Sequence, residues 1–238
     1  MTTMFRIAIV AMALVAWASD ALAATIWIRD NPTSGVTSSG TPGGVFLDGT
    51  QSRPDGTTTG GSLADIPVGV FDLQYSPTNA DPWSDFYTFC LEPQQGIDGL
   101  PDLYTEGTLS GYQNLSATDQ LWLEQLWAEQ FAAALTDATF AAAFQFIIWE
   151  LVVDTVVDLS AGMVQLSNAE GAYALANGWL ASLEACEWTN RVALQGLYSD
   201  ENQDFLTPAA VPEPTSLLLL GTGLAGLAAR RRAHRRRD

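Results

Sequence analysis

The chain has 238 residues and a formal net charge of −17, from 10 basic and 27 acidic side chains, a length that fits one domain with short accessory segments. All ten basic residues are arginine, and six of them crowd the last nine positions. Between residues 24 and 211 only Arg29, Arg53 and Arg191 face 24 acids, and the single histidine is His234 in the tail, which excludes nucleic-acid binding, Ser-His-Asp and Cys-His catalysis and any histidine metal site in this body.

Met1 to Ala23 reads as a secretory signal: Arg6 gives the positive start, Ile7 to Ala18 is an unbroken apolar run, and Ala21-Leu22-Ala23 is a small-residue cleavage site. The run is too short for a retained membrane helix. From Ala24 to about Tyr112 the chain predicts strands separated by turns. Thr25 to Ile28 is a short strand, and 31–44 and 48–61 are loops rich in Gly, Pro, Ser, Thr and Asp. Val68 to Tyr75 and Phe86 to Leu91 are apolar, aromatic runs of strand length bounded by prolines.

After Tyr112 helix formers take over. Ser116 followed by Asp119 predicts a capped helix to about Leu135, and Thr136 or Asp137 caps a second one to about Val157. A third helix is predicted over 168–187, with Gly178 as a weak spot, and Arg191 to Tyr198 as a returning strand. The expected fold is α+β: a β-rich N-terminal half, sandwich or barrel-like, with an insert of about three helices and a closing strand. The domain expectation is a signal peptide over 1–23, an α+β body over 24–201, a linker over 202–211 and a sorting segment over 212–238.

That last segment carries Pro212-Glu213-Pro214, an apolar stretch from Thr215 to Ala229, and Arg230, Arg231, Arg232, Arg235, Arg236 and Arg237. Leu217 to Ala229 would extend only about 20 Å as a helix, short of a hydrocarbon core of about 30 Å. The arginines would hold its end in the cytoplasm, so it suits a transient stop in the inner membrane better than a lasting anchor. In order and position the segment resembles the PEP-CTERM sorting signal. The resemblance implies an exosortase-type membrane protease as partner, cleavage at the motif, and a mature form at the cell surface or outside the cell. Gly221-Thr222-Gly223-Leu224-Ala225-Gly226 fits the dinucleotide fingerprint by letter, but it lies too near the chain end for a βαβ unit.

In the second predicted helix, residues 140–149 read FAAAFQFIIW, with Gln145 as the only polar side chain. It shares a face with Ala141, Ile148 and Val152, so it looks inward wherever that face packs. A buried amide without partners costs about 1–3 kcal/mol, so its placement needs a reason. One reason is a core glutamine bonded to backbone or water. Cys90 ends the strand Phe86-Tyr87-Thr88-Phe89, and the only other cysteine is Cys186. In an exported protein two cysteines commonly form a disulfide, which is one reading of this pair.

Phe89-Cys90 and Gln145-Phe146-Ile147-Ile148-Trp149 together resemble the Cys-Gln thioester domains of bacterial surface adhesins. The resemblance covers roughly 86–155 and implies a thioester between Cys90 and Gln145, shielded from water by Phe89, Phe144, Ile148 and Trp149. An amine-bearing surface ligand could then be captured as an amide on Gln145. The absence of lysine fits, since no side-chain amine of the chain's own could quench the bond.

The expectation is therefore an exported, non-enzymatic surface or matrix protein that needs no cofactor or metal, with extracellular polysaccharide as a further candidate partner. A disulfide-stapled matrix protein and a carboxylate-based polysaccharide hydrolase are the alternatives. Glu150 and Asp154 lie one helical turn apart but read as a solvated acidic face. Asp200, Asn202 and Asp204 have calcium-loop spacing, yet Phe205 replaces the glycine such a loop requires. The helical tryptophans Trp122, Trp127, Trp149, Trp179 and Trp188 are expected in the core.

Overall fold

The computed structural model describes residues 24–32, 44–47, 50–52, 58–60, 68–97, 99–112, 115–167 and 170–209. The expected signal peptide with Ala21 and Ala23, and the tail with Pro212, Glu213, Pro214, its apolar stretch and its arginines, lie outside them. The elements in chain order are β1 (Thr25–Asp30), β2 (Gly44–Leu47), β3 (Thr50–Ser52), β4 (Thr58–Gly60), β5 (Phe71–Ser76), β6 (Ser84–Cys90), β7 (Asp102–Gly107), α1 (Ala117–Ala134), α2 (Ala138–Val153), β8 (Val164–Ser167), α3 (Glu170–Glu184), β9 (Leu194–Tyr198) and β10 (Phe205–Pro208).

Six strands close into an antiparallel barrel in the order β1-β5-β6-β10-β9-β7. Strand side chains alternate sides, and the register decides which set points inward. Ile26 lies opposite Tyr104, Leu73 opposite Phe86, and Phe205 opposite Leu197. Ile28, Leu73, Tyr104, Leu197 and Phe205 thus fill the lumen as one buried cluster. The expected α+β architecture is what the chain adopts, in its barrel form. Closure removes the free sheet edges on which strands of neighbouring molecules could pair.

The helical layer packs on the outside of β6. Phe89 points out of the barrel, stacks on Phe144 at 4.4 Å and meets Trp127 and Phe131 edge-on, each at 6.2 Å. Local chemistry sets the helix starts. Ser116 and Asp119 form a reciprocal capping box at α1, and the Asp137 carboxylate accepts from the Thr139 and Phe140 amides at α2. Every residue of α2 from Ala141 to Val153 is buried, as a helix apolar all round requires. Trp127, Trp149 and Trp179 are buried, and Trp122 and Trp188 pack partly buried against the same core.

Several sequence expectations need correction. The second helix stops at Val153 instead of reaching 157, because Asp154 turns extended and its carboxylate accepts from the Met163 and Val164 amides at 2.7 and 2.8 Å. Gly162 permits that loop: its φ is +97°, and a Cβ there would lie 2.8 Å from the Asp154 carboxylate. Strands β3 and β4 fall in the segment read as a loop over 48–61, strands β2, β7 and β8 have no counterpart among the expected strands, and the returning strand is shorter than 191–198. Finally, the segment read as a linker contains β10, which pairs with both β6 and β9. Its approach, Asn202 to Asp204, is polar but buried. There Asp204 accepts from the Tyr112 hydroxyl and the Ser199 amide, and Asn202 donates to Asp102.

Candidate functional site at the seam between β6 and α2

The end of β6 meets the middle of α2, and the contact is made by the two residues singled out above. Gln145 is fully buried, and its side-chain amide pairs twice with the backbone of Cys90. Oε1 accepts from the Cys90 N–H at 2.9 Å, and Nε2 donates to the Cys90 carbonyl at 2.7 Å. On its β5 side the ladder of β6 pairs only as far as Thr88, so the amide supplies what a neighbouring strand would supply one step further on. Both polar atoms of the amide on this apolar helix thus have a hydrogen-bond partner.

The Cys90 thiol is buried at the same seam. Cys90 is fully buried, and its Sγ accepts from the Glu92 amide at 3.1 Å and from the Trp149 indole Nε1–H at 3.4 Å. Burial pushes the thiol well above its ordinary range, the two donors pull it back, and the charges of Glu92 and Asp204 push it up again. Phe89, Phe144, Ile148 and Trp149, expected to keep water away, are all buried. The sequence reading had not singled out Glu92, whose backbone N–H touches sulfur; its only signal was a position two residues beyond Cys90.

Cys90 and Cys186 are both free, one buried and the other exposed, so the disulfide reading of the pair is overturned. The reason lies in local backbone geometry. Cys186 has φ 55° just past the end of α3. Its N–H bonds the Leu183 carbonyl, and the Glu187 N–H bonds the Ser182 carbonyl, each at 3.0 Å. Those two bonds make the Schellman helix stop that usually takes glycine.

Glu150 and Asp154 do not form the solvated face expected of them. Both are buried, and Glu150 accepts from the Asp158 amide while Asp154 holds residues 163 and 164. They anchor a loop. Asp204, in the calcium-like spacing, has one oxygen on Tyr112 and the other on Ser199. Among the described residues no group of three or more His, Cys, Asp or Glu side chains is placed to hold a metal ion. None of the described helices is long and apolar enough to cross a membrane.

In comparison with known families, residues 210–232 match the PEP-CTERM protein-sorting motif. The motif supports export through the inner membrane to the cell surface and implies recognition by an exosortase, a membrane protease. No curated protein and no solved structure gives a significant match to the chain.

Proposed function

We propose that this exported, exosortase-processed surface protein is a covalent binder, not an enzyme, and that Cys90 and Gln145 form an internal thioester that captures an amine-bearing partner. The observation that carries the reading is the double hydrogen bond between the Gln145 amide and the backbone of the residue that bears the thiol. The Cys90 sulfur attacks the Gln145 side-chain carbonyl carbon, the C–N bond breaks, and the thiol proton leaves with the amide nitrogen as ammonia. The Cys90 N–H already points at Oε1, where negative charge develops in the tetrahedral intermediate. The Trp149 and Glu92 donors favour the sulfur as it gains charge. Exclusion of water by the aromatic shell keeps the product from hydrolysis.

In the second step a primary amine attacks the same carbon. The C–S bond breaks, sulfur takes up a proton to become the Cys90 thiol, and the partner remains on Gln145 as a secondary amide. That amide retains one N–H, which can return to the Cys90 carbonyl. The chemistry runs once per molecule. Incubation of the processed protein with methylamine tests it: methylamide should appear on the peptide containing Gln145, together with a newly titratable thiol at Cys90. Cys90→Ala should take up none. Methylamine uptake elsewhere, or none by the parent protein, contradicts the reading.

A further inference from the structure

Among the described residues the lumen cluster fills the middle of the barrel and leaves one end open. There a cleft of about 260 Å³ is lined by inward-facing residues from all six strands. Its walls are of two kinds. Tyr75 of β5 and Phe86 of β6 stand edge to face at 5.7 Å, and Ile26 of β1 continues that wall. Across the opening lie Glu106 of β7, Gln195 of β9 and Thr207 of β10, on three strands adjacent in the barrel. The register holds these polar groups together, with Gln195 opposite Thr207 and Glu106 opposite Leu197 at the floor. Among the described residues Glu106 is the only charged side chain in the lining.

We propose that this mouth binds one neutral sugar ring, as a terminal or single exposed unit of an extracellular polysaccharide. A pyranose has an apolar C–H face and a rim of hydroxyls. The aromatic wall matches the face, while a carboxylate, an amide and a hydroxyl offer acceptors and donors for the rim. At about 30 Å³ per water, the cleft holds roughly eight to nine waters, the scale of a single ring and not of a threaded chain. Clefts in barrel mouths with apolar walls and a few convergent polar groups are a recurrent setting for small-ligand sites. The carboxylate and the acidic surroundings disfavour uronic acids, sulfated sugars and phosphates. An alkylammonium would engage Glu106 and the rings but leave the Gln195 N–H donors and Thr207 without a role.

The site is separate from the β6–α2 seam. Phe86 and Cys90 are four residues apart on β6, about 13 Å at ~3.3 Å per residue, and the inference does not depend on the thioester. Calorimetric titration of the processed protein with the methyl glycosides of glucose, galactose, mannose and N-acetylglucosamine tests it, with methyl glucuronate and butylammonium as contrasts. At least one neutral glycoside should bind saturably. Tyr75→Ala and Gln195→Ala should each weaken it about tenfold at unchanged melting temperature, which corresponds to about 1.4 kcal/mol. Cys90→Ala should bind as the parent does. Absence of binding by every neutral glycoside, binding that survives both substitutions, or binding of butylammonium or glucuronate alone would overturn the proposal.

Discussion

The two cysteines of this chain sit in opposite surroundings. Cys90 lies at the end of β6 with no solvent access and two donors on its sulfur, while Cys186 is exposed past the last turn of α3. At Cys90 the side chain is buried with two donors on sulfur, on a residue whose backbone is held by the Gln145 amide. At Cys186 the backbone matters, since the residue occupies a left-handed position that glycine fills with less strain. Cysteine count alone treats the pair as equivalent. Burial and backbone conformation separate a reactive candidate from a helix stop.

The sharpest way to break that contrast is to remove the amide. Gln145→Leu leaves the buried N–H and C=O of Cys90 without partners, at about 1–3 kcal/mol for each group. Denaturant unfolding should show a loss of about 3 kcal/mol. The variant should also take up no amine even under conditions where it remains folded.

A smaller effect comes from the far end of the same helix. Burial, joined by the charges of Asp154 and Asp158 and opposed by the Asp158 amide, raises the Glu150 carboxyl from 4.5 to about 8. The folded state therefore holds a proton that the unfolded state has already released. The stability this contributes is complete below about pH 4.5 and is lost as pH rises through about 8. Glu150→Gln keeps the shape without the charge. Thermal melts should find the variant more stable than the parent at pH 9, on the order of 2 kcal/mol, with the difference fading toward pH 5.

The smallest effect lies at the other cysteine. Cys186→Gly relieves the left-handed strain and should raise stability by about 0.5–1 kcal/mol in the same melts. It should leave methylamine uptake untouched.

The parts of the fold legible in the sequence are those set by neighbours along the chain. Ser116 with Asp119, and Asp137, mark helix starts because each cap bonds amides two or three residues away. The apolar runs of β5 and β6 are legible because they are aromatic and bounded by prolines. Strand β10 escapes notice because Phe205–Pro208 is four residues long and follows the polar Asn202, Gln203 and Asp204. Asn202 and Asp204 bond Asp102, Tyr112 and Ser199, and Gln203 bonds the Glu92 and Gln95 carbonyls, all far away in sequence or across a turn. Glu150 and Asp154 mislead for the same reason, since each bonds amides of a loop that folds back eight to ten residues later. At the site, Cys90 and Gln145 stand out as chemical oddities in apolar surroundings. The two hydrogen bonds between amide and backbone do not, because they depend on where β5 stops pairing with β6. The cleft at the barrel mouth was invisible: it exists only when six strands close.

The central claim is the bond between Cys90 and Gln145, and intact mass spectrometry of the untreated, processed protein tests it most directly. The mass should be lower than the sequence requires by one ammonia, with Cys90→Ala at its full expected mass. Full mass in the parent protein, with Cys90 titrating as a thiol after unfolding, would contradict it.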